Sequence, residues 1–132
     1  TMAYDNPMSI GYNFAVTDFA AGGGPYYYNI SGPAGKQGQL RSISVATEEI
    51  FDCNTLAAVV EVGTIADPNA YGSFTIADET ADNTVVNATD DTDAIISAAI
   101  DAESLVVVKC TEGTSSGTVT GQGRVTVIID WY

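Results

Sequence analysis

The stretch Arg124-Val125-Thr126-Val127-Ile128-Ile129-Asp130-Trp131, near the carboxyl end, decides the fold class. In an extended chain successive side chains point to opposite faces. Val125, Val127, Ile129 and Trp131 therefore share one face, and Arg124, Thr126, Ile128 and Asp130 share the other. The first set is wholly apolar and the second mainly polar, the pattern of a strand lying on a core. The Cβ-branched side chains suit a pleated surface better than a helix.

The same alternation recurs toward the amino end. Residues 104–110 set Leu105, Val107 and Lys109 against Val106, Val108 and Cys110, as in a strand buried largely on both faces. Residues 56–62 place Leu56, Ala58, Val60 and Val62 on one side, and residues 41–45 place Ile43 and Val45 opposite Ser42 and Ser44. Shorter runs at 13–17, 26–30, 71–76 and 84–88 bring the total to about eight strands. Between them, Gly22-Gly23-Gly24-Pro25, Gly32-Pro33-Ala34-Gly35 and Ala66-Asp67-Pro68-Asn69 cannot continue a regular element. Residues 111–123, rich in Gly, Ser and Thr, form the longest polar loop. Short strands at this spacing predict an all-β sandwich or barrel. Residues 93–102 are ambiguous: Ile96, Ala99 and Ile100 fit one helical face with Asp93 as cap, while 95–100 also fits a short strand.

With 132 residues and 13.7 kDa, the chain has room for one ordinary domain, and no internal repeat divides it. Hydrophobic residues at 45% against 16% charged place it among globular proteins. The net charge of −13 leaves only Lys36, Arg41, Lys109 and Arg124 as bases. Four scattered cations cannot form the basic stripe that a phosphate backbone requires, so nucleic acid is excluded as a partner. No apolar run approaches the roughly 18–20 residues that cross a bilayer, so no membrane is expected either. The amino end lacks the basic and apolar regions of a signal peptide, which points to synthesis in the cytoplasm.

The absence of histidine removes Ser-His-Asp and Cys-His triads and His-containing metal sites. Cys53 and Cys110 are too far apart for CxxC chemistry. They read as free buried thiols, with a single disulfide as the alternative. Most carboxylates fall in polar turns (Asp67, Asp78, Glu79, Asp82, Asp90, Asp91, Asp93 and Asp101) and read as solvated charge rather than a glycosidase pair. The runs Asp90-Asp91-Thr92-Asp93 and Asp78-Glu79-Thr80-Ala81-Asp82 lack the glycine and terminal Glu of a calcium loop. Neither Gly22-Gly23-Gly24-Pro25 nor Gly121-Gln122-Gly123 has the residues of a phosphate or dinucleotide loop. No enzyme, metal or cofactor is expected.

Residues that suggest adhesion are easier to find. Tyr26, Tyr27 and Tyr28 are consecutive, so on a strand Tyr27 points away from the other two. Trp131 and Tyr132 end the chain, where a partner or the sandwich rim could take them. Residues 1–11 carry Met2, Tyr4, Met8 and Ile10, with Pro7 breaking regularity. We read them as an extended arm ahead of a sandwich at 12–132. Such an arm gains little by folding on itself and more by lying along a neighbour, a frayed terminus being the alternative.

Three stretches then carry a resemblance. They are Ile30-Ser31-Gly32-Pro33-Ala34-Gly35-Lys36-Gln37-Gly38-Gln39-Leu40 with Ile43-Ser44-Val45-Ala46-Thr47-Glu48-Glu49; Val60-Glu61-Val62-Gly63-Thr64 with Asp67 and Tyr71-Gly72-Ser73-Phe74; and the closing run from Gly117 to Tyr132. Together they resemble small virion structural proteins of tailed bacteriophages, of the type that decorates or cements the capsid. The resemblance implies a jelly-roll-like antiparallel β-sandwich, a symmetric oligomer (a trimer, with a dimer as the alternative), and binding across major capsid protein subunits on the outer surface of the capsid. It supplies no catalytic residue. A carbohydrate-binding sandwich using Tyr26–Tyr28 or Trp131, and a phage tail or fibre component, are the competing expectations.

Overall fold

A computed structural model describes residues 8–88, 95–96 and 98–132. Among the described residues nine strands follow one another: β1 (Met8–Asp18), β2 (Tyr26–Ser31), β3 (Gly38–Thr47), β4 (Ala58–Gly63), β5 (Gly72–Ile76), β6 (Val85–Asn87), β7 (Ala99–Ile100), β8 (Leu105–Thr111) and β9 (Gln122–Trp131). One sheet runs β1-β9-β3-β6 with β7 also against β3, and the other runs β2-β8-β4-β5. Every pairing is antiparallel. The pairs are nested, β1 with β9, β2 with β8, β3 with β6 and β4 with β5. An antiparallel ribbon folded over in this way is a jelly roll. The eight principal strands are those of the sequence reading, and the two-residue β7 falls in the segment left open there between helix and strand.

Each sheet is built around a central strand whose inward face is sealed. On β9, Val125, Val127 and Ile129 have no exposed surface. They lie opposite Val45, Ile43 and Leu40 of β3. On β8, Val106, Val108 and Cys110 are equally buried, while Val62 and Val60 of β4 stand beside Val108 and Cys110. The two inner faces interdigitate, as the period-2 patterns require.

Trp131 closes one end of this core. Its indole is 3% exposed and donates from Nε1 to the Tyr12 hydroxyl at 2.9 Å. A Cβ on Gly32 would stand 2.4 Å from the ring, and one on Gly38 2.7 Å, so only glycine lets the backbone pass this close. Trp131 is therefore a core residue, and its expected place in a protein interface is corrected. Its inward position on a central strand leaves no surface for a partner.

Three further expectations change in detail. The ladder with β9 begins at Met8↔Trp131, so residues 8–11 open a strand rather than close an arm. Their alternation continues that of β1, with Ile10 packed against the core. Residues 1–7 lie outside the described residues, and Met2, Tyr4 and Pro7 with them. In the ambiguous 93–102 segment, Ile95 bridges Gly72, and Ala99 and Ile100 pair with Gln39 and Gly38. The strand reading holds at that end, because Ile100 turns fully inward while Ile96 stays exposed. Asp93, and Asp90 and Asp91 of the candidate calcium run, lie outside the described residues.

Cys53 and Cys110 are free and buried. Burial pushes the Cys53 thiol up, and pushes that of Cys110 up to about 12. A thiol reagent at neutral pH should therefore leave the native protein unmodified and label both cysteines after denaturation. Rapid native labelling would contradict the packing. Trp131→Ala should cost about 3–5 kcal/mol in chemical denaturation, as for other large core truncations. Gly38→Val should be destabilising as well, because its side chain and the indole claim the same volume.

Candidate interaction surface

Antiparallel wrapping gives the sandwich two distinct ends. At the Trp131 end, β1, β3, β5 and β8 begin and β2, β4 and β9 finish. At the opposite end lie the loops 19–25, 48–57, 77–84 and 112–121. More of the described carboxylates lie at the loop end, with Asp67, Asp101, Glu103 and Asp130 at the Trp131 end.

The loop end holds Asp18, Glu48, Glu49, Asp52, Asp78, Glu79, Asp82 and Glu112. Several of these do more than face water, and among them Asp78 departs from the reading of the turn acids as solvated charge. Asp18 accepts from the Ala20 amide at 2.9 Å, Asp78 from the Cys53 amide at 2.8 Å, and Glu49 from the Gly121 amide at 2.8 Å. Glu112 accepts from the amides of both Gly22 and Gly24. Amides in such loops have no ladder partner, and a carboxylate is their strongest acceptor. The glycine loop thus encloses an anion supplied by its own chain, which is why it is no phosphate cradle. Burial raises the neighbouring Tyr26 phenol above its ordinary pKa, with the charges of Glu112 and Asp18 adding to the shift.

The Trp131 end carries a different surface. Met8 is 48% exposed, Ile65 75%, Leu105 44% and Tyr132 43%. Tyr132 is held by reciprocal backbone hydrogen bonds with Gln37, both 2.9 Å. Ile65 sits in the β4–β5 turn, which folds so tightly that a Cβ on Gly63 would meet the Asp67 carbonyl at 2.2 Å. That turn brings Ile65 onto the outer face of the second sheet. There, with Tyr27, Asn29 and Val107, it lines a groove of about 260 Å³. Ile50 and Leu56 are exposed at the loop end, among Glu48, Glu49 and Asp52.

The aromatic residues singled out in the sequence separate accordingly. Tyr27 is 56% exposed, whereas Tyr26 and Tyr28 are half-buried against the core. The Tyr28 ring stacks on Phe14 with centroids 4.8 Å apart, and its hydroxyl lies 2.7 Å from Thr17 Oγ1. Tyr27 and Tyr132 are therefore presented outward, Met8 joins them, and Ile10, Tyr26 and Tyr28 support the sandwich. Ile65 and Leu105 were not singled out. The signal for Ile65 was visible, an isoleucine between Thr64 and Asp67 in a polar turn. Leu105 lies on a strand, as its alternation predicts, but its outer side is exposed rather than buried.

Among the described residues, no three Cys, Asp or Glu side chains are grouped to hold a metal. No helix there is long and apolar enough to cross a membrane. No protein-family model matches the sequence, and no curated protein matches it. One solved structure to which the chain is similar is from the cyanophage Pam1 capsid asymmetric unit, with a TM-score of 0.49 and 13% identity over 96% of this chain and 86% of that chain.

Glu112→Ala should free two loop amides and cost about 1.5–3 kcal/mol, the range for hydrogen bonds to a charged group. Chemical denaturation checks this, and Glu112→Gln should lose less, since its amide oxygen still accepts.

Proposed function

We propose that the chain is a tailed-phage capsid decoration protein, which lies on the outer surface of the head across major capsid protein subunits and catalyses no reaction. The observation that carries the reading is the exposure of Met8, Ile65, Leu105 and Tyr132 at the Trp131 end, with Ile65 also lining the groove beside Tyr27. Each large aliphatic side chain buried there contributes about 1.5–3 kcal/mol when fully covered. A partner that binds the assembled shell and not its separated subunits stabilises the shell by mass action. Such a role needs adhesion alone. The carboxylate-rich loop end, turned away from the shell, suits an exterior position remote from packaged DNA. Met8, the first described residue, stands at the apolar end opposite Trp131.

The resemblance in sequence supports the same role. A second reading draws on Tyr27, whose exposed ring beside Asn29 offers a stacking face and an amide to a sugar. A tail or fibre location is separated from the head by finding which part of the virion retains the protein.

Undecorated heads mixed with the purified protein should melt at a higher temperature. Ile65→Asp, at a position already open to solvent, should weaken binding at least tenfold with unchanged folding, as should removal of residues 1–7. Heads that neither bind the protein nor gain stability would end the proposal. Retention on a glycan array, abolished by Tyr27→Ala, would favour the sugar reading instead.

A further inference from the structure

The outer face of the second sheet holds two charges that the fold leaves unused. Its strands β2, β8, β4 and β5 carry one base, Lys109, and one acid, Glu61. Both side chains point outward and are half-buried, and the two residues are ladder partners on β8 and β4. On the first sheet the arginines are paired, Arg124 with Glu48 and Arg41 with Asp130. Among the described residues Lys109 and Glu61 form no ion pair, either with each other or with any other group.

Lys109 also borders the groove. Tyr27 stands opposite Lys109 across β2 and β8, and Asn29 stands opposite Val107. On the other side of Val107 the ladder partner is Gly63, and the turn after it brings Ile65 over the sheet. The result is a slot with an apolar floor, where Val107 is 1% exposed, between the two exposed walls Tyr27 and Ile65. Those walls lose their contact with water only when a further apolar group sits between them. Val107 and Lys109 are two residues apart, about 6–7 Å along the strand. An extended segment lying along β8 has the same repeat, so its next side chain on that side meets Lys109.

The lining favours a peptide over a sugar. A sugar ring carries hydroxyls on most of its carbons and needs more hydrogen-bond partners than Asn29 and one phenol supply. A peptide group needs one donor and one acceptor, and the Asn29 amide offers both.

We propose that this slot recognises an extended polypeptide segment, in which a large apolar side chain sits between Tyr27 and Ile65 and a carboxylate two residues away meets Lys109. The charge complementarity is local. Lys109 stands beside Tyr27 at the border of the slot, and Glu61 lies on its far side. The segment is assigned to the shell subunit on the strength of the capsid reading, whereas the slot and its chemistry stand on the geometry.

Nuclear magnetic resonance titration of the isotope-labelled chain tests it, with acetyl-Asp-Ala-Leu-Ala-Asp-amide as the probe. This peptide places a carboxylate two residues from leucine in either chain direction. Physiological salt screens the repulsion by distant carboxylates of the protein. Shifts should map to Tyr27, Asn29, Ile65, Val107 and Lys109. The counterpart with both aspartates replaced by asparagine should bind about two- to fivefold more weakly, the range for an exposed charge pair. Lys109→Met should abolish that preference without weakening the asparagine probe, and Tyr27→Ala should weaken both. No binding, shifts centred elsewhere, or a preference that survives Lys109→Met would each overturn the proposal. Tighter binding of methyl N-acetylglucosaminide at the same residues would overturn it in favour of a sugar. The mapping on the unmodified chain covers a variant that does not fold. Heads that fail to bind the protein bear only on the capsid reading, and heads that bind it while the peptide does not overturn only this site.

Discussion

The pairing of the first described strand with the last holds the architecture together. β9 lies between β1 and β3, and its inward residues fill the middle of the core. Its last residue, Trp131, plugs one end by lying against two glycines and donating to Tyr12. A nested jelly roll brings together residues far apart in sequence, which is entropically costly to nucleate. The final strand must then supply enough apolar surface to make that closure favourable. A continuous inward face of Val125, Val127, Ile129 and Trp131 meets that requirement.

The acidity of the chain bears on the fold as well as on its partners. Carboxylates at Asp18, Glu49, Asp78 and Glu112 accept from amides that the crossover loops leave without ladder partners. Glu103 does the same for Gly35 at the other end, at 3.0 Å. A jelly roll has many crossovers between sheets, hence many such amides. On the outer face of the first sheet the few bases are used locally: Arg124 pairs with Glu48 at 2.9 Å and Arg41 lies 3.7 Å from Asp130. Both pairs are largely exposed, so they contribute little to stability and mainly keep this face polar.

The strands were legible in the sequence because their signal is local. Alternation needs only a few consecutive residues, and the runs around Val60, Val107 and Val127 all appear as strands close to where they were expected. The nested order of pairing was not readable from alternation, since register is a property of two strands and not of one; it entered through the resemblance. The surface was legible in part. Tyr27 points outward because a strand leaves it no other choice, and Trp131 points inward for the same reason. Alternation places Trp131 on the apolar face with Val125, Val127 and Ile129, but not whether that face still has a core beneath it at the strand's end, which pairing with other strands decides. The roles of Glu112 and Asp78 were invisible, because the amides they serve lie 88 and 25 residues away.

The same closure that stabilises the subunit also fixes how force would enter it. Met8 stands opposite Trp131 at the start of the longest strand, so a load on the preceding residues passes directly into the β1–β9 ladder. Nine residue pairs join β1 to β9, and their hydrogen bonds carry that load. The outer side chains reinforce them: Ser9 donates to Asp130, and Thr126 donates to Asn13 Oδ1 at 2.7 Å. With Met8, Ile65, Leu105 and Tyr132 exposed at this end and Asp18, Glu49, Asp78 and Glu112 accepting from loop amides at the other, contacts form without unfolding those loops.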